Sequence, residues 1–450
     1  MAHKALSRAL FTDLYQLTTA QAYWWSGRTA EATFSLYFRS LPPDRGYLVF
    51  AGLGDVLEYL ETFQLTGEDI AHLRSLDLFD KDFLSYLADM RFTGSVRAMA
   101  EGSIFFAGEP VLEVTAPVIE AQIAETFLVN QVHLQTLLAT KAARVVHAAK
   151  EKTVVDFAAR RTHGPDAADA FARASYMAGF AGTSNVLAGG RYGIPTYGTM
   201  AHSFVTTFDD EGEAFRAYGN AFPDTSTFLV DTYDSLEGTR RAIEVAKEMR
   251  ERGHWLRSIR LDSGDLANLS AGARVLLDEA GLGEVRILAS GGLDEFEVDE
   301  LLMAGAPIDG FGVGTKVGVS SDTPWGDTVY KLVEYAGNPV LKLSTGKETL
   351  PGGKQVYRYA DEDGSYARDV ITTTNSLDHI GAALLAEVMS HGERRAVNPT
   401  VHELREHFAR ELTRLPERYK GLTSPASYPV EISADLETLR SRIALETRRR

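Results

Sequence analysis

The chain of 450 residues contains no cysteine, which excludes disulfides, a thiolate metal site and a cysteine nucleophile. It also lacks any run of about 18 apolar residues, the length needed to cross a membrane as a helix. Its N-terminus, MAHKALSRALFTDLYQ, has no continuous apolar core of the signal-peptide type. We therefore expect a soluble cytoplasmic protein that does not bind membranes.

The chain also lacks an excess of positive charge, because its formal net charge is −16 at pH 7. Nucleic acids and anionic membranes bind to basic faces, so neither is expected as a partner. An anionic small molecule is still compatible with this charge, since one pocket can be locally basic on an acidic protein. The hydrophobic content of 44% is typical of a globular protein, and the length favours two domains.

The pattern of residues changes at position 153 and predicts two modules. From there, short β-branched runs alternate with amphipathic helical stretches, which is typical of a parallel sheet in an α/β fold. The expected strands are 154–158, 194–198, 227–231, 258–261, 286–289 and 310–314. Six such units favour an irregular, incomplete (α/β) barrel at 141–334. The two chain ends, 1–140 and 335–450, are expected to form a second α/β module.

Two glycine turns lie at the ends of neighbouring predicted strands. Ser290-Gly291-Gly292 follows one strand, and Gly312-Val313-Gly314-Thr315 ends the next. Glycine lets backbone amides approach phosphate oxygens, and the last strands of (α/β) barrels often form such a cradle. Either motif alone is as well explained by a tight turn. Because two occur in succession, we predict a phosphate site there.

Two acidic motifs follow the preceding strands: DTYD, which begins at Asp231, and DSGD, which begins at Asp262. Carboxylates at this edge are suited to holding Mg²⁺ on a diphosphate or to contacting ribose hydroxyls. Capping of the following helix is the structural alternative, especially for Asp234 and Asp265. We name Asp262 as the candidate metal ligand, although the choice between Asp231 and Asp262 is open.

Three further side chains at these strand ends are candidates for anion binding or catalysis. Arg260 lies inside a predicted strand, where a guanidinium is costly unless it meets a carboxylate or phosphate. An internal salt bridge to an aspartate explains Arg260 equally well. Arg160 adds positive charge after the first strand of the series. His202 follows Gly198-Thr199 at a strand end, where barrels present catalytic groups, although a lone histidine is more often structural.

Taken together, the motifs closely resemble those of nicotinate phosphoribosyltransferases. The similar segments are TDLYQLT at 12–18, FAARRTHGPD at 157–166, SNVLAGGRYGIPTYGTMAHS at 184–203, VDTYD at 230–234, IRLDSGDL at 259–266 and GFGVGTKV at 310–317. They occur in order from residue 11 to about 335, and the resemblance is looser beyond 340. It implies a type II phosphoribosyltransferase fold, which is an irregular (α/β) barrel with an α/β module built from both chain ends.

The resemblance also implies a reaction. Members of the family join nicotinate to 5-phosphoribosyl diphosphate, which gives nicotinate mononucleotide and pyrophosphate in the first step of NAD salvage from nicotinate. ATP hydrolysis drives the reaction through a phosphohistidine. The expected ligands are therefore nicotinate, 5-phosphoribosyl diphosphate, ATP and Mg²⁺, and the expected assembly is a homodimer.

The resemblance assigns roles to individual residues. His202 matches the phosphorylated histidine, and Thr199 matches a threonine that contacts nicotinate. Arg260 matches the arginine that holds the nicotinate carboxylate, and Thr315 matches the threonine of the phosphate loop. Tyr15 matches a tyrosine that stacks on the pyridine ring across the dimer interface. The predicted substrate-binding residues are Tyr15, Phe157, Arg160, Thr199, Arg260, Ser290, Gly291, Gly292, Gly314 and Thr315, and the predicted catalytic residues are His202, Asp231 and Asp262.

One departure from the family pattern is visible, and other functions stay open. Only about 28 residues separate His202 from Asp231, where related members often carry a long insertion, so the enclosure of ATP is unspecified. A sister enzyme acting on nicotinamide would not need the charge of Arg260. A non-catalytic sensor of phosphorylated metabolites would not need His202 and Asp262. Quinolinate is disfavoured, because its second carboxylate would demand more basic residues.

Overall fold

The computed structural model of the protein describes residues 6–343, 349–376, 379–395 and 397–449. The helices in this part of the chain are α1 (Leu14–Trp25), α2 (Leu53–Glu61), α3 (Gly67–Ser75), α4 (Lys81–Asp89), α5 (Val118–Ala149), α6 (Pro165–Met177), α7 (Val186–Tyr192), α8 (His202–Val205), α9 (Glu211–Ala221), α10 (Ser235–Glu251), α11 (Leu266–Glu279), α12 (Glu295–Met303), α13 (Val401–Arg414) and α14 (Ala434–Arg448). Among these described helices, none combines the length and the apolar character that a membrane span requires.

The strands are β1 (Glu31–Phe38), β2 (Leu48–Val49), β3 (Ser95–Ala98), β4 (Ile104–Phe105), β5 (Pro110–Pro117), β6 (Thr153–Asp156), β7 (Gly182–Thr183), β8 (Thr227–Leu229), β9 (Ser258–Leu261), β10 (Arg286–Ser290), β11 (Gly310–Val313), β12 (Thr328–Tyr335), β13 (Asn338–Pro339), β14 (Lys354–Ala360), β15 (Tyr366–Thr373), β16 (Ala382–Ala383), β17 (Ala386–Ser390), β18 (Glu393–Arg394) and β19 (Val430–Ile432). The chain divides into two compact units, which are Met1–Leu137 with Trp325–Arg450 (unit 1) and Leu138–Pro324 (unit 2). The sequence prediction places the corresponding boundaries after residues 140 and 334.

Unit 1 contains a seven-stranded sheet in the order β13-β12-β1-β5-β3-β17-β18 and a four-stranded sheet in the order β16-β14-β15-β19. The central strand β1 pairs antiparallel with both β12 and β5. It is buried on both faces, so its polar side chains need partners. Ser35 donates a hydrogen bond to Glu113 (2.6 Å), and Phe34 stacks on Tyr330 with ring centroids 4.8 Å apart. The core of unit 1 therefore centres on this strand.

Unit 2 is built on a six-stranded sheet in the order β7-β6-β11-β10-β9-β8, in which every pair of neighbours is parallel. Strands β8 to β11 alternate along the chain with helices α10 to α12, as the amphipathic pattern predicts. The edge strands β7 and β8 are not paired with each other, so the sheet is open. The predicted α/β class is confirmed, and an open sheet is what an incomplete barrel requires.

The predicted strand at 194–198 is wrong. Its place in the sheet is taken by β7, and Thr196 forms only a single parallel bridge with Thr183. The amide of Thr183 donates to the carbonyl of Pro195 at 3.0 Å. Pro195 has no amide hydrogen, so it cannot donate to a ladder. Within this segment only Ile194 is buried, and the rest forms the loop that leads to His202.

Candidate functional site

Residues at the carboxyl edge of the unit 2 sheet enclose a cavity of about 390 Å³. Its lining residues are Phe157, Ala159, Arg160, Ser184, Gly198, Thr199, Met200, Ala201, His202, Leu229, Arg260 and Asp262. This volume lies within the range of small-molecule sites, roughly 300 to 1,000 Å³. The position is the one at which open α/β sheets bind their ligands, outside the carboxyl ends of the strands.

Arg260, on β9, is held in this cavity by three hydrogen bonds. Its Nε donates to Ser290 Oγ (2.7 Å), its Nη1 to Thr199 Oγ1 (3.0 Å) and its Nη2 to Asp262 Oδ1 (2.5 Å). Its Cζ lies 5.2 Å from the centroid of the Phe157 ring, a cation–π distance. The side chain is only 14% exposed. A guanidinium has more N–H groups than these three bonds use, so Arg260 can still donate to a bound anion.

Asp262 is an ionised partner for Arg260. Its Oδ1 also accepts a hydrogen bond from Ser290 Oγ at 2.5 Å. Burial by itself raises the pKa of Asp262, but the hydrogen bond from Ser290 and the charge of Arg260 outweigh burial, so the pKa lies below its ordinary value. From the sequence, the partner of Arg260 could be either a ligand anion or an internal aspartate. The structure contains the internal salt bridge, to Asp262.

Asp231 follows β8, and its side chain is almost fully buried. Its Oδ2 accepts hydrogen bonds from the backbone amide of Asp262 (3.0 Å) and from Ser263 Oγ (2.6 Å). Its Oδ1 is buried and has no hydrogen-bond partner among the described residues. Burying a carboxylate oxygen without a partner is costly, so a cation or a donor at this position would stabilise it.

His202 is the first residue of α8 and lies between the two aspartates. Its Nε2 is 4.0 Å from Asp231 Oδ1 and 3.9 Å from Asp262 Oδ2, while its Nδ1 is 3.2 Å from Thr232 Oγ1. When Thr232 accepts a hydrogen bond from Nδ1, the lone pair of the imidazole is on Nε2. The site can then present a nucleophilic nitrogen between two carboxylates.

Asp231 and Asp262 fit Mg²⁺. No group of three or more histidine, aspartate or glutamate side chains is gathered as a metal cage in the described ranges. Mg²⁺ does not need such a cage, because it usually keeps several waters and binds one or two carboxylates together with substrate phosphates. The unpaired Oδ1 of Asp231 is the observation that favours a cation, since it is a hard oxygen donor without another partner.

The two glycine turns lie next to the strand ends of β10 and β11. Gly291 has φ of +100°, and a Cβ there would lie 1.8 Å from the carbonyl oxygen of Asp262. A Cβ on Gly314 would lie 2.7 Å from the carbonyl oxygen of Phe157. Close packing of the backbone is therefore a sufficient reason for both glycines. Phosphate binding by these turns stays a prediction.

The structure brings one part of the predicted set to the cavity wall: Phe157, Arg160, Thr199, His202, Arg260 and Asp262. Ser290 and Asp231 lie behind this wall and hydrogen-bond to it. Gly291, Gly292, Gly314 and Thr315 do not line the cavity but form the adjoining turns. Tyr15 is on α1 in unit 1, with 54% of its surface exposed.

Several residues that line or support the cavity are not predicted from the sequence: Asp156, Ser184, Leu229, Thr232 and Ser263. Thr232 and Ser263 lie inside the acidic motifs, so proximity to those motifs was the available signal. Isolated hydroxyl residues are common in turns, and their spacing does not identify a partner. Leu229 lies in a predicted strand and has no chemical signature of its own.

Asp156 ends β6 and is fully buried. It accepts hydrogen bonds from the amide of Ala158 (2.6 Å) and from Thr183 Oγ1 (2.6 Å). Burial raises the pKa of Asp156 to about 6, although both hydrogen bonds act in the opposite direction. By joining β6 to β7, Asp156 positions the two segments that carry Phe157 and Ser184.

The fold and the cavity define an α/β protein with a cavity of small-molecule size at the carboxyl edge of an open parallel sheet. Comparison with known proteins identifies the family. The chain matches the nicotinate phosphoribosyltransferase N-terminal domain at residues 10–133, the nicotinate phosphoribosyltransferase family at 153–355 and the nicotinate phosphoribosyltransferase C-terminal domain at 381–440.

Individual relatives cover almost the whole chain. A nicotinate phosphoribosyltransferase of Mycobacterium tuberculosis is 49% identical over 427 residues, which are 94% of this chain and 91% of the relative. One of Bacillus subtilis is 40% identical over 460 residues, covering 95% and 94% of the two chains. The crystal structure of human nicotinic acid phosphoribosyltransferase superposes with a TM-score of 0.87 at 30% identity, covering 96% of this chain and 100% of the human one. The chain belongs to the nicotinate phosphoribosyltransferase family, which confirms the resemblance seen in the motifs.

The raised pKa of Asp156 predicts how stability depends on pH. The folded state keeps this proton up to about pH 6, whereas an unfolded aspartate loses it near 3.8. The stabilisation from the protonated form is therefore lost as pH rises through about 6. Asp156→Asn removes this dependence. Between pH 4.5 and pH 7.5, the free energy of unfolding of the variant should therefore rise by about 2 kcal/mol relative to that of the wild type. Urea unfolding at both pH values measures the difference.

Thr183→Val is the matched control for this prediction, because it removes one hydrogen bond to Asp156 but leaves the carboxyl group. It should lower the free energy of unfolding and make the loss of stability with rising pH larger than in the wild type, because the hydrogen bond from Thr183 lowers the pKa of Asp156. The same pH dependence in Asp156→Asn and in the wild type would contradict the assignment.

Proposed function

We propose that the protein is a nicotinate phosphoribosyltransferase, which forms nicotinate mononucleotide and pyrophosphate from nicotinate and 5-phosphoribosyl diphosphate in the salvage route to NAD. The observation that carries the proposal is the position of Arg260, whose desolvated cation lies against the Phe157 ring and next to Thr199. A flat aromatic carboxylate matches this combination of a cation and an aromatic face. The names of the relatives support the same activity.

In the proposed reaction, the ring nitrogen of nicotinate attacks C1 of the ribose as the bond from C1 to the pyrophosphate oxygen breaks. Positive charge develops on the ribose, and the carboxylates of Asp231 and Asp262 would stabilise it or hold the ribose hydroxyls. Asp262, with Asp231, would hold Mg²⁺, which neutralises charge on the departing pyrophosphate. Arg260 keeps the base oriented by its carboxylate.

We further propose that ATP is coupled to this reaction through His202. Nε2 attacks the γ-phosphorus of ATP, so an N–P bond forms, the P–O bond breaks and ADP leaves. Water later hydrolyses the phosphohistidine, which releases phosphate and restores the imidazole. The new phosphoryl charge would lie beside Asp231 and Asp262, so it must change the electrostatics of the site. That change is the proposed link between ATP and binding of the phosphoribosyl donor.

The proposed assembly is a homodimer in which Tyr15 of one protomer stacks on nicotinate bound to the other. The exposed ring of Tyr15 supports this role, because a tyrosine that serves only as core packing is normally buried. The proposed location is the cytoplasm, which a chain without cysteine suits.

The activity is tested with labelled nicotinate and, separately, labelled nicotinamide, each with 5-phosphoribosyl diphosphate and Mg²⁺, with and without ATP. We expect nicotinate mononucleotide, formed faster when ATP is present. Product from nicotinamide but none from nicotinate would contradict the substrate assignment. Turnover that ignores ATP would contradict the coupling but not the transferase activity.

Arg260→Gln should lower kcat/KM for nicotinate by about 10- to 100-fold, because a charge-assisted hydrogen bond to the carboxylate is lost. Activity with nicotinamide, if measurable, should fall much less. Thr199→Val is the control that keeps the cation but removes its hydrogen bond, and it should give a smaller loss. If Arg260→Gln lowered kcat/KM equally for nicotinate and nicotinamide, Arg260 would not bind the carboxylate.

His202→Ala should keep slow synthesis of nicotinate mononucleotide but lose both the ATP stimulation and ³²P labelling from γ-labelled ATP. Thr232→Val keeps the imidazole and removes only its partner, so it should still be labelled, at a lower rate. Undiminished labelling of His202→Ala would place the phosphorylated residue elsewhere.

A further inference from the structure

A cluster of buried charges lies in unit 2 behind the two glycine turns. At its centre is Lys141 of α5, whose side chain is completely buried. Its Nζ lies 3.3 Å from Asp294 Oδ2, 2.5 Å from Glu295 Oε2 and 2.8 Å from Asp322 Oδ1. Arg144, one turn further along α5, pairs with Glu295 Oε1 at 2.9 Å. A lysine with three acidic partners in the interior is an unusual and costly arrangement.

Two of the three acidic partners, Asp294 and Glu295, belong to the element that follows the first glycine turn. Asp294 is the N-cap of α12 and lies two residues after Gly292. Its Oδ1 accepts from the amide of Phe296 (3.0 Å), and its own amide donates to Glu297 Oε2 (2.9 Å), which completes a capping box. Lys141 therefore fixes the point at which the turn becomes a helix.

The same cluster reaches the second glycine turn. Glu297 pairs with Lys316, the residue directly after Gly314-Thr315. Asp322, the third partner of Lys141, lies six residues further along the same segment. The backbones after both turns are thus tied together through Asp294, Glu297 and Lys316.

This cluster is not explained by stability or by direct binding of a ligand. Buried ion pairs contribute little net stability compared with well-packed apolar residues. Lys141 is completely buried, so it cannot itself meet a ligand in solution. Its acidic partners would repel a phosphate. What the cluster does provide is a fixed relative position for the two turns.

We infer that Lys141, Glu297 and Lys316 are positioning residues for the phosphoribosyl donor: they hold the Ser290-Gly291-Gly292 and Gly314-Thr315 turns at the spacing at which both can bind one phosphate group. The inference rests on the proposed function, because that function supplies the phosphorylated ligand. It adds residues to the site that do not touch the substrate.

The test uses the exposed end of the cluster, where folding is not at risk. Lys316 and Glu297 are 38% and 37% exposed, so Lys316→Met and Glu297→Gln should both fold normally. If the pair positions the turns, both variants raise KM for 5-phosphoribosyl diphosphate by about three- to tenfold and leave KM for nicotinate unchanged. The double variant should be no worse than either single one, because both break the same contact.

If Lys316 instead binds phosphate directly, the two variants should change KM for the donor in opposite directions. Lys316→Met would still raise KM for the donor, but Glu297→Gln would lower it by freeing the lysine. That result would overturn the inference, and so would a normal KM in both variants. The matched control is Arg216→Met, which breaks the Arg216–Glu248 pair of α9 and α10, similarly exposed at 39% and 40%. It should leave both KM values unchanged.

Asp322→Asn tests the buried end, since it removes one acidic partner of Lys141 without removing the lysine. It should raise KM for the donor in the same direction as Lys316→Met. Calorimetric titration with 5-phosphoribosyl diphosphate and Mg²⁺ gives Kd without turnover. A wild type that binds the donor but makes no nicotinate mononucleotide would contradict the proposed function, while weaker donor binding by Lys316→Met and Glu297→Gln would still support the positioning role.

Discussion

The arrangement of the site depends on one desolvated cation. Arg260 points from a strand of a parallel sheet into the cavity, and a guanidinium in that position must be compensated on every side. Ser290 from the neighbouring strand, Thr199 from the loop before α8 and Asp262 from its own strand end each accept one of its hydrogen bonds. Three separate segments are thereby held at fixed distances around one side chain, and the cavity wall is the result.

Hydrogen bonds link this cation through Asp262 to Asp231, whose Oδ1 lies 4.0 Å from His202 Nε2. Asp262 is bound through its side chain to Arg260 and through its backbone amide to Asp231. Asp231 keeps its other oxygen free, and that oxygen faces His202. In the proposed coupling of a phosphorylated histidine to substrate binding, this short path would be the physical basis.

The sequence predicted the strands and helices of unit 2 better than the buried side chains that hold them in place. Strand β9 has its predicted bounds, because the short segment Ser258–Leu261 and the DSGD turn after it form a local pattern. The strand predicted at 194–198 does not form, because Pro195 lacks the amide hydrogen that a strand needs. The proline is also a local signal, but the apolar residues around it favoured a strand. Lys141 could not have been predicted, since LLATKAARVV is typical of a helix whose lysine is exposed. Its burial follows only from the packing of α12 against α5, which no local pattern encodes.

The charge balance of the cavity bears on how a phosphorylated ligand can bind. Arg260 is already paired with Asp262, and Asp231, behind the wall, adds a second carboxylate whose unpaired Oδ1 lies 4.0 Å from His202 Nε2. Exposed Arg160 is the other arginine on the wall. A cavity with as many carboxylates as guanidinium groups offers little attraction to a polyanion by itself. In the proposed reaction, the two carboxylate oxygens near His202 would favour a donor that arrives with a divalent cation, because the cation would satisfy the carboxylates and the phosphates at once.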